Sequence, residues 1–345
     1  MSAEIININF ANTSKEELLL RCNELAQHPE KWVQDIAQFT KDWLSDDDSI
    51  YLKTSGTTGA AKEIKALKTR LVNSALMTGS FFSLRDNTKA LLALSPNYIA
   101  GKMMIVRSAV LKWNLFAIEP SANPLAIFNA YIDVTAFVPN QLYSILNSEY
   151  ADRLNKIEKI IIGGGPMSEA TATLLHNFKC EVYHSYGMTE TLSHVAIQQI
   201  NPPGKKNYTA LPGVSFTVDD RHCLIVNVPK IADEEIITND VVILHNDKQF
   251  DWIGRWDNII NSGGIKLNPE SIEDKLRPLI TQPFIISSEP DVELSNKVVL
   301  VVEQGENLNL SDLNKYLGKF EQIKALRSIQ KFQYTESGKI KRKEL

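Results

Sequence analysis

The stretch Ile160-Ile161-Ile162-Gly163-Gly164-Gly165-Pro166, followed by a second apolar run at Cys180 to Tyr183 that leads into His184-Ser185-Tyr186-Gly187-Met188-Thr189-Glu190-Thr191, decides how this chain is read. Each half is a strand-like run that stops in a loop, with helical sequence between them. Upstream the rhythm repeats at Ala90 to Leu94, Leu115 to Ile118 and Val134 to Val138, again with helical stretches between. Such alternation predicts α/β layering around a largely parallel sheet. Further towards the N-terminus, Ser14-Lys-Glu-Glu17 has the spacing of a capping box, and Trp32, Ile36, Phe39 and Trp43 recur at helical steps, which predicts two opening amphipathic helices. Downstream, from Asn201 to about Ile253, turn signals multiply (Pro202-Pro203-Gly204, Pro212-Gly213, Asp219-Asp220) between short strands at Leu224 to Val228 and Val241 to Leu244. That pattern predicts a small β subdomain. Beyond Arg255 come a Gly-Gly turn, a helix near Pro269 to Pro278, a strand at Lys297 to Val302, a helix near Asp312 to Phe320 and a basic tail, which predict a compact α+β domain. The fold class is therefore α/β: a large layered domain over residues 1–256 with a small β subdomain, then a small α+β domain over 257–345.

Three segments carry chemistry. In Thr54-Ser55-Gly56-Thr57-Thr58-Gly59-Ala60-Ala61-Lys62, six of nine residues are hydroxylated or glycine. Such a backbone bends tightly, exposes N–H groups and aims hydroxyls at an oligophosphate, with Lys62 adding charge. It is not a Walker A loop, because Lys62 stands three residues beyond Gly59 and Glu63 follows it. In the second segment, Tyr186 can stack on a base and Glu190 can hold Mg²⁺ through oxygen, at a strand's C-terminal end, where α/β sheets bind ligands. The third runs from Thr238-Asn239-Asp240 through Gly254-Arg255-Trp256-Asp257 and Ser262-Gly263-Gly264 to Ser337-Gly338-Lys339. Asp240 suits a ribose diol, and Arg255 the same sugar or a phosphate. Taken singly, an ordinary Ser/Thr/Gly loop, a plain βα turn and a solvated basic terminus compete with these readings.

Composition narrows the field. Across 345 residues, 43% hydrophobic and 23% charged, with Gly 16 and Pro 14, the chain is an ordinary water-soluble globular protein. Net charge is -4 and no long basic block precedes the tail, which argues against general nucleic-acid binding, so an anionic ligand must be met locally. Cys22, Cys180 and Cys223 form no CxxC pair, and neither a disulfide framework nor a zinc cluster is expected. The N-terminus has no signal-peptide pattern and no apolar run spans a bilayer, so a cytoplasmic location is expected.

In this order the motifs Thr-Ser-Gly-Thr-Thr-Gly-x-x-Lys, Gly-Gly-Gly-Pro, Tyr-Gly-Met-Thr-Glu, Gly-Arg-x-Asp, Ser-Gly-Gly and Ser-Gly-Lys resemble the adenylate-forming superfamily of acyl- and aryl-CoA synthetases, luciferases and peptide adenylation domains. Ser-Tyr-Gly-Met-Thr-Glu-Thr and the short C-terminal domain are most similar to o-succinylbenzoate-CoA ligases of menaquinone biosynthesis. The resemblance implies that a carboxylic acid and MgATP give an acyl adenylate, from which CoA displaces AMP. It further implies that Thr54, Ser55, Gly56, Thr57, Thr58, Gly59 and Lys62 form the pyrophosphate-side loop, and that Thr189 and Glu190 organise phosphate and Mg²⁺. Gly164, Gly165 and Tyr186 would flank adenine, Asp240 and Arg255 hold ribose, and Lys339 bridge carboxylate and α-phosphate. Asp257 matches the hinge about which a mobile C-terminal domain turns, bringing Gly264 to the CoA pantetheine. For the acid, Tyr98 replaces a usual His, Lys102 or Arg107 is the expected cation for a second carboxylate, and Ser185 and His194 are rim candidates. Ala61, Glu63, Asn239 and Gln333 depart from the usual motifs, and the loop at Thr54 lies far nearer the N-terminus than in relatives. A ligase for another aryl or medium-chain acid, a non-catalytic adenylate-binding relative, and a self-standing adenylation domain feeding a carrier protein are the alternatives. Oligomeric state is left open.

Overall fold

The computed structural model describes residues 4–53, 63–165, 167, 169–203, 207–305, 308–334 and 340–342. The chain forms two compact units, one of residues 1–167, 174–215 and 227–236, the other of 168–173, 216–226 and 237–345. Residues 237–256 thus cluster with the C-terminal part, whereas the sequence reading placed them with the larger domain.

In the first unit the strands are β1 (Ile6–Asn9), β2 (Ser49–Lys53), β3 (Glu63–Leu67), β4 (Lys89–Leu92), β5 (Asn114–Ala117), β6 (Ile132–Phe137), β7 (Ile157–Ile162), β8 (Glu181–Gly187), β9 (His194–Asn201) and β10 (Tyr208–Ala210). The helices are α1 (Lys15–Leu25), α2 (Lys31–Leu44), α3 (Lys68–Phe82), α4 (Ile99–Val110), α5 (Pro139–Leu146) and α6 (Glu169–Leu175), the last divided between the units. The sheet order is β1-β5-β4-β6-β7-β8-β9-β10. From β5 to β8 all neighbours are parallel, as the apolar runs predicted, while β1, β9 and β10 add antiparallel edges. Strands buried on both faces read as continuous apolar runs. One face of β4, β6, β7 and β8 packs Leu91, Phe137, Ile160, Ile162 and Val182 against Leu142 and Ile145 of α5. Helices α3 and α4 pack together and bury Leu71, Ala75, Phe82, Met103 and Met104.

Ser14 caps α1 with both halves of the capping box in place. In α2 the buried stripe is Val33, Ile36, Ala37, Phe39 and Thr40, so the two tryptophans of the expected stripe flank it half-buried. The Ile6-Asn-Ile-Asn alternation at β1 was not singled out from the sequence, and it pairs with β5 from Ile6↔Ala117 to Asn9↔Asn114.

The second unit contains β11 (Ser215–Val218), β12 (Cys223–Asn227), β13 (Ile236–Asn246) and β14 (Gln249–Arg255), in the order β14-β13-β12-β11, then the hairpin β15 (Ile260–Ser262) and β16 (Ile265–Leu267). Helix α7 (Pro269–Leu276), β17 (Phe284–Asp291), β18 (Ser295–Glu303), α8 (Leu310–Asn314) and β19 (Ala325–Ile329) complete it. Ile272, Leu276, Ile286, Leu300, Val302 and Leu313 form its core. Helix α8 stops well short of the expected Phe320. The Gln322 amide takes the carbonyls of Asn314, Leu317 and Gly318, and the Asn314 side chain bonds both N–H and C=O of Ile323. Side-chain amides have replaced the helix's own donors there. No described helix is long and apolar enough to cross a membrane.

Candidate active site

Parallel pairing of β7 with β8 sets Ile162 opposite His184, so both strands end at the same rim of the sheet. Beyond Ile162 the chain turns through Gly163, Gly164 and Gly165, with Gly164 at φ 88° in the region that favours glycine. A Cβ on Gly163 would stand 2.8 Å from the Ser185 hydroxyl, which itself donates to the Ile162 carbonyl at 2.9 Å. Ser185 is thus spent on holding the strand end. The His184 imidazole reaches the Gly165 carbonyl at 2.8 Å, and Tyr208 meets its other nitrogen at 2.7 Å. The Tyr208 ring also lies edge-on to Tyr186, with centroids 5.8 Å apart. The triple-glycine loop and Tyr186 thus stand at one rim of the sheet, with Ser185, an expected acid-pocket residue, between His184 and Tyr186 and bonded to the end of β7.

After Tyr186 the chain makes a tight turn. Met188 N–H donates to the Thr191 hydroxyl at 2.9 Å, that hydroxyl lies 2.6 Å from the Ser193 carbonyl, and Leu192 sits at φ 58°. Thr191 is fully buried, while Thr189 is half-buried and Glu190 exposed at the tip. Among the described residues no group of three or more His, Cys, Asp or Glu side chains converges as a metal cage. The acidic group offered here is the single exposed carboxylate of Glu190. That donor set fits a magnesium ion that keeps waters and phosphate oxygens in its shell.

Beneath this turn lies a buried cation. Arg107, on α4 and 3% exposed, donates to the Ser193 hydroxyl at 2.6 Å, to Thr78 Oγ1 at 3.3 Å and to His194 Nδ1 at 3.4 Å. Guanidinium only donates, so Nδ1 of His194 accepts and its Nε2 carries the proton towards Thr78 Oγ1, 3.0 Å away. Burial, and secondly the Arg107 charge, hold the His194 pKa well below its ordinary value. Burial brings Arg107 down to about 10, still a cation at neutral pH, and no carboxylate among the described residues pairs with it. His194 is therefore a buried, neutral support and not an open rim residue. Of the other expected acid-pocket residues, Tyr98 precedes α4 and is 43% exposed, and Lys102 donates to the Tyr51 carbonyl at 3.2 Å beside the Phe39 ring.

The β2–β3 hairpin pairs Lys53 with Glu63, the described residues on either side of the Thr54–Lys62 segment. Thr54, Ser55, Gly56, Thr57, Thr58, Gly59 and Lys62 themselves lie outside the described residues, as does Lys339.

In the second unit, Asp240 of β13 stands opposite Arg255 of β14. Asp240 is buried and accepts from Trp252 Nε1 at 3.0 Å, with the Arg255 guanidinium at 3.8 Å. Arg255 also donates to Asp257 at 3.0 Å, and Asn239 donates to both oxygens of that carboxylate at 3.2 and 3.3 Å. Arg221, which the sequence reading passed over as part of a turn, holds the Asn239 side chain at 3.0 Å and lies over the Trp256 ring. Gly264, at φ 80°, sits in the β15–β16 turn with open space where a Cβ would be. Tyr208, Ser193 and Thr78 were likewise missed. Each is an ordinary residue in its own segment, and only strand and helix packing brings it to the site.

The profile of the AMP-binding enzyme family matches residues 3–231, more than half of the chain. The chain belongs to the AMP-binding enzyme family. This bears out the expected enzyme class and fold. Among solved structures, an AMP-forming acyl-CoA synthetase/AMP-acid ligase II-like protein from Dyadobacter fermentans is 34% identical, covers 99% of this chain and 98% of its own, and superposes with a TM-score of 0.67. The o-succinylbenzoate coenzyme A synthetase of Bacillus subtilis, solved with ATP and magnesium, is 18% identical over 86% of this chain and 69% of its own, with a TM-score of 0.73, and attests the shared fold. A 2-succinylbenzoate–CoA ligase of Oceanobacillus iheyensis is 23% identical over 341 residues, which is 87% of this chain and 70% of that relative. This AMP-binding enzyme is thus matched along its length by a protein of its own size and over about 70% of longer ligases.

Proposed function

We propose that this AMP-binding enzyme converts o-succinylbenzoate to o-succinylbenzoyl-CoA in two half-reactions. A carboxylate oxygen attacks the α-phosphorus of ATP and the bond to pyrophosphate breaks; the CoA thiol then attacks the acyl carbon, the bond to AMP breaks and the thiol proton is lost. The observation that carries the reading is the rim of the sheet in the first unit, where the Gly163–Gly165 loop, Tyr186 and the Thr189–Glu190 turn follow one another at strand ends. The 2-succinylbenzoate–CoA ligases among the relatives support the choice of acid.

In this reading Gly164, Gly165 and Tyr186 flank adenine. Thr54, Ser55, Gly56, Thr57, Thr58, Gly59 and Lys62 cradle pyrophosphate, and Thr189 and Glu190 hold phosphate and Mg²⁺. Asp240 and Arg255 take the ribose, and Lys339 bridges carboxylate and α-phosphate, where negative charge accumulates. O-succinylbenzoate carries a carboxylate that is not activated. Arg107, a buried cation with hydroxyl and imidazole partners, supports the assignment of that anion to the α4 side of the site. Lys102, Tyr98 and Ser185 would line the same pocket. We further propose a division at Asp257, with residues 257–345 turning between the half-reactions so that the tail carrying Lys339 withdraws and Gly264 approaches the CoA pantetheine.

The test is to incubate the enzyme with MgATP and o-succinylbenzoate, benzoate or octanoate, with and without CoA. Pyrophosphate release with o-succinylbenzoate alone, and thioester only when CoA is added, is the expected outcome. Equal turnover of octanoate would reassign the acid, and release of neither product with any acid would leave an adenylate-binding protein.

A further inference from the structure

The imidazole of His184 and the phenol of Tyr208 stand between the two walls of the base site without belonging to either. The Gly163 N–H still donates to the Phe137 carbonyl at 3.2 Å; past it the sheet ladder ends, and the rest of the triple-glycine loop needs another hold because glycine itself restrains the backbone least. His184 supplies one, its Nε2 lying 2.8 Å from the Gly165 carbonyl. A carbonyl only accepts, so Nε2 carries a proton, and in the neutral imidazole Nδ1 keeps its lone pair. The Tyr208 hydroxyl, 2.7 Å from Nδ1, must then be the donor. The chain has one direction: Tyr208 donates to His184, which donates to Gly165.

Tyr208 also governs the opposite wall. The residue is 9% exposed, and its ring lies 5.8 Å from the Tyr186 ring at an interplanar angle of 62°, an edge-to-face contact. It arrives by pairing of β10 with β9, where Thr209 faces Ile197, and β9 is itself paired with β8. A single residue thus touches the ring on one side and, through one imidazole, the glycine loop on the other.

We infer that His184 and Tyr208 are positioning residues for the nucleotide base, fixing the separation between the Gly163–Gly165 loop and Tyr186. The inference rests on the reading of that rim as the adenine site, and it predicts that losing the pair weakens nucleotide binding while leaving the acid pocket and the bond-making steps alone.

The experiment uses the full-length enzyme and measures AMP binding by calorimetry in the absence of acid, together with KM for ATP, KM for o-succinylbenzoate and kcat. Tyr208→Phe keeps the ring edge and removes only the hydroxyl, so folding is preserved; His184→Ala removes the relay, and His184→Gln restores a donor within reach of Gly165. Tyr208→Phe and His184→Ala are each expected to weaken AMP binding and raise KM for ATP about tenfold, with KM for the acid and kcat within about twofold. The double variant should be no worse than the poorer single, because both cut one chain, and His184→Gln should recover part of the loss. Unchanged AMP binding in Tyr208→Phe beside a wild-type enzyme that binds AMP overturns the inference alone, and so do fully additive losses or an equal rise in the acid's KM. A wild-type enzyme that binds no AMP overturns the base-site reading and the inference with it.

Discussion

Gly187 has no room for a methyl group. A Cβ there would lie 2.3 Å from the Ser193 carbonyl oxygen and 2.6 Å from the His194 Cα, both backbone atoms that cannot rotate aside. Gly187→Ala must therefore part β8 from β9 at the base of the turn that carries Thr189 and Glu190. It is expected to cost about 2 kcal/mol in thermal unfolding and to lower the rate of pyrophosphate release. Beside it, Arg107→Met is expected to raise KM for o-succinylbenzoate at least tenfold with KM for ATP little changed, and steady-state kinetics on both substrates checks the split. The neighbouring imidazole sets a pH dependence. His194 titrates near 6.5 when unfolded and well below that when folded, so the unfolded chain binds more protons as pH falls. Its contribution is whole above about pH 6.5 and is lost as pH drops towards the folded value. The unfolding midpoint of the wild type, measured from pH 7 to 5, should fall more steeply than that of His194→Gln. Sequence placed both Arg107 and His194 near the site, but their pairing was not legible, because 87 residues separate them and only the folded chain brings Arg107 of α4 to the first residue of β9.

At the scale of elements, α7 anchors the end of the described chain. Glu273, buried on that helix, accepts from the Ile286 N–H at 2.7 Å and from Arg342 at 2.6 Å, and Arg342 also donates to the Ile286 carbonyl. Glu273→Ala would leave a guanidinium and a backbone N–H without their shared acceptor, an expected loss of about 3–5 kcal/mol in the unfolding of this unit, readable by urea titration. What could be read at this scale depended on where each element finds its hydrogen bonds. The parallel strands announced themselves as apolar runs because both their faces are covered, and the Ser14 cap was legible because its partner is three residues away. Helix α8 was overextended because its competing partner, Gln322, looks like any polar residue until the chain folds back. The β10 strand lay hidden in a turn-rich stretch, and with it Tyr208.

For the molecule as a whole, the proposed rotation about Asp257 makes the two half-reactions separable. Lys339→Ala should abolish pyrophosphate release from MgATP and o-succinylbenzoate yet still convert preformed adenylate and CoA to thioester, followed by chromatography of both products. Equal loss in both assays would mean that one fixed arrangement serves both steps. The order of the six motifs, the α/β class and the membership of the AMP-binding enzyme family were determined by sequence alone, since phosphate cradles, strand-end loops and apolar runs are local patterns that survive without their partners. Tertiary structure decided what those residues lean on: the Tyr208–His184–Gly165 chain, the buried Arg107 beneath the Glu190 turn, and Asn239 holding Asp257. Each joins residues 18 or more apart in sequence, which no local pattern reports, and the hydrogen bonds of Arg107 and Tyr208 hold because burial keeps away much of the water that would otherwise take their place.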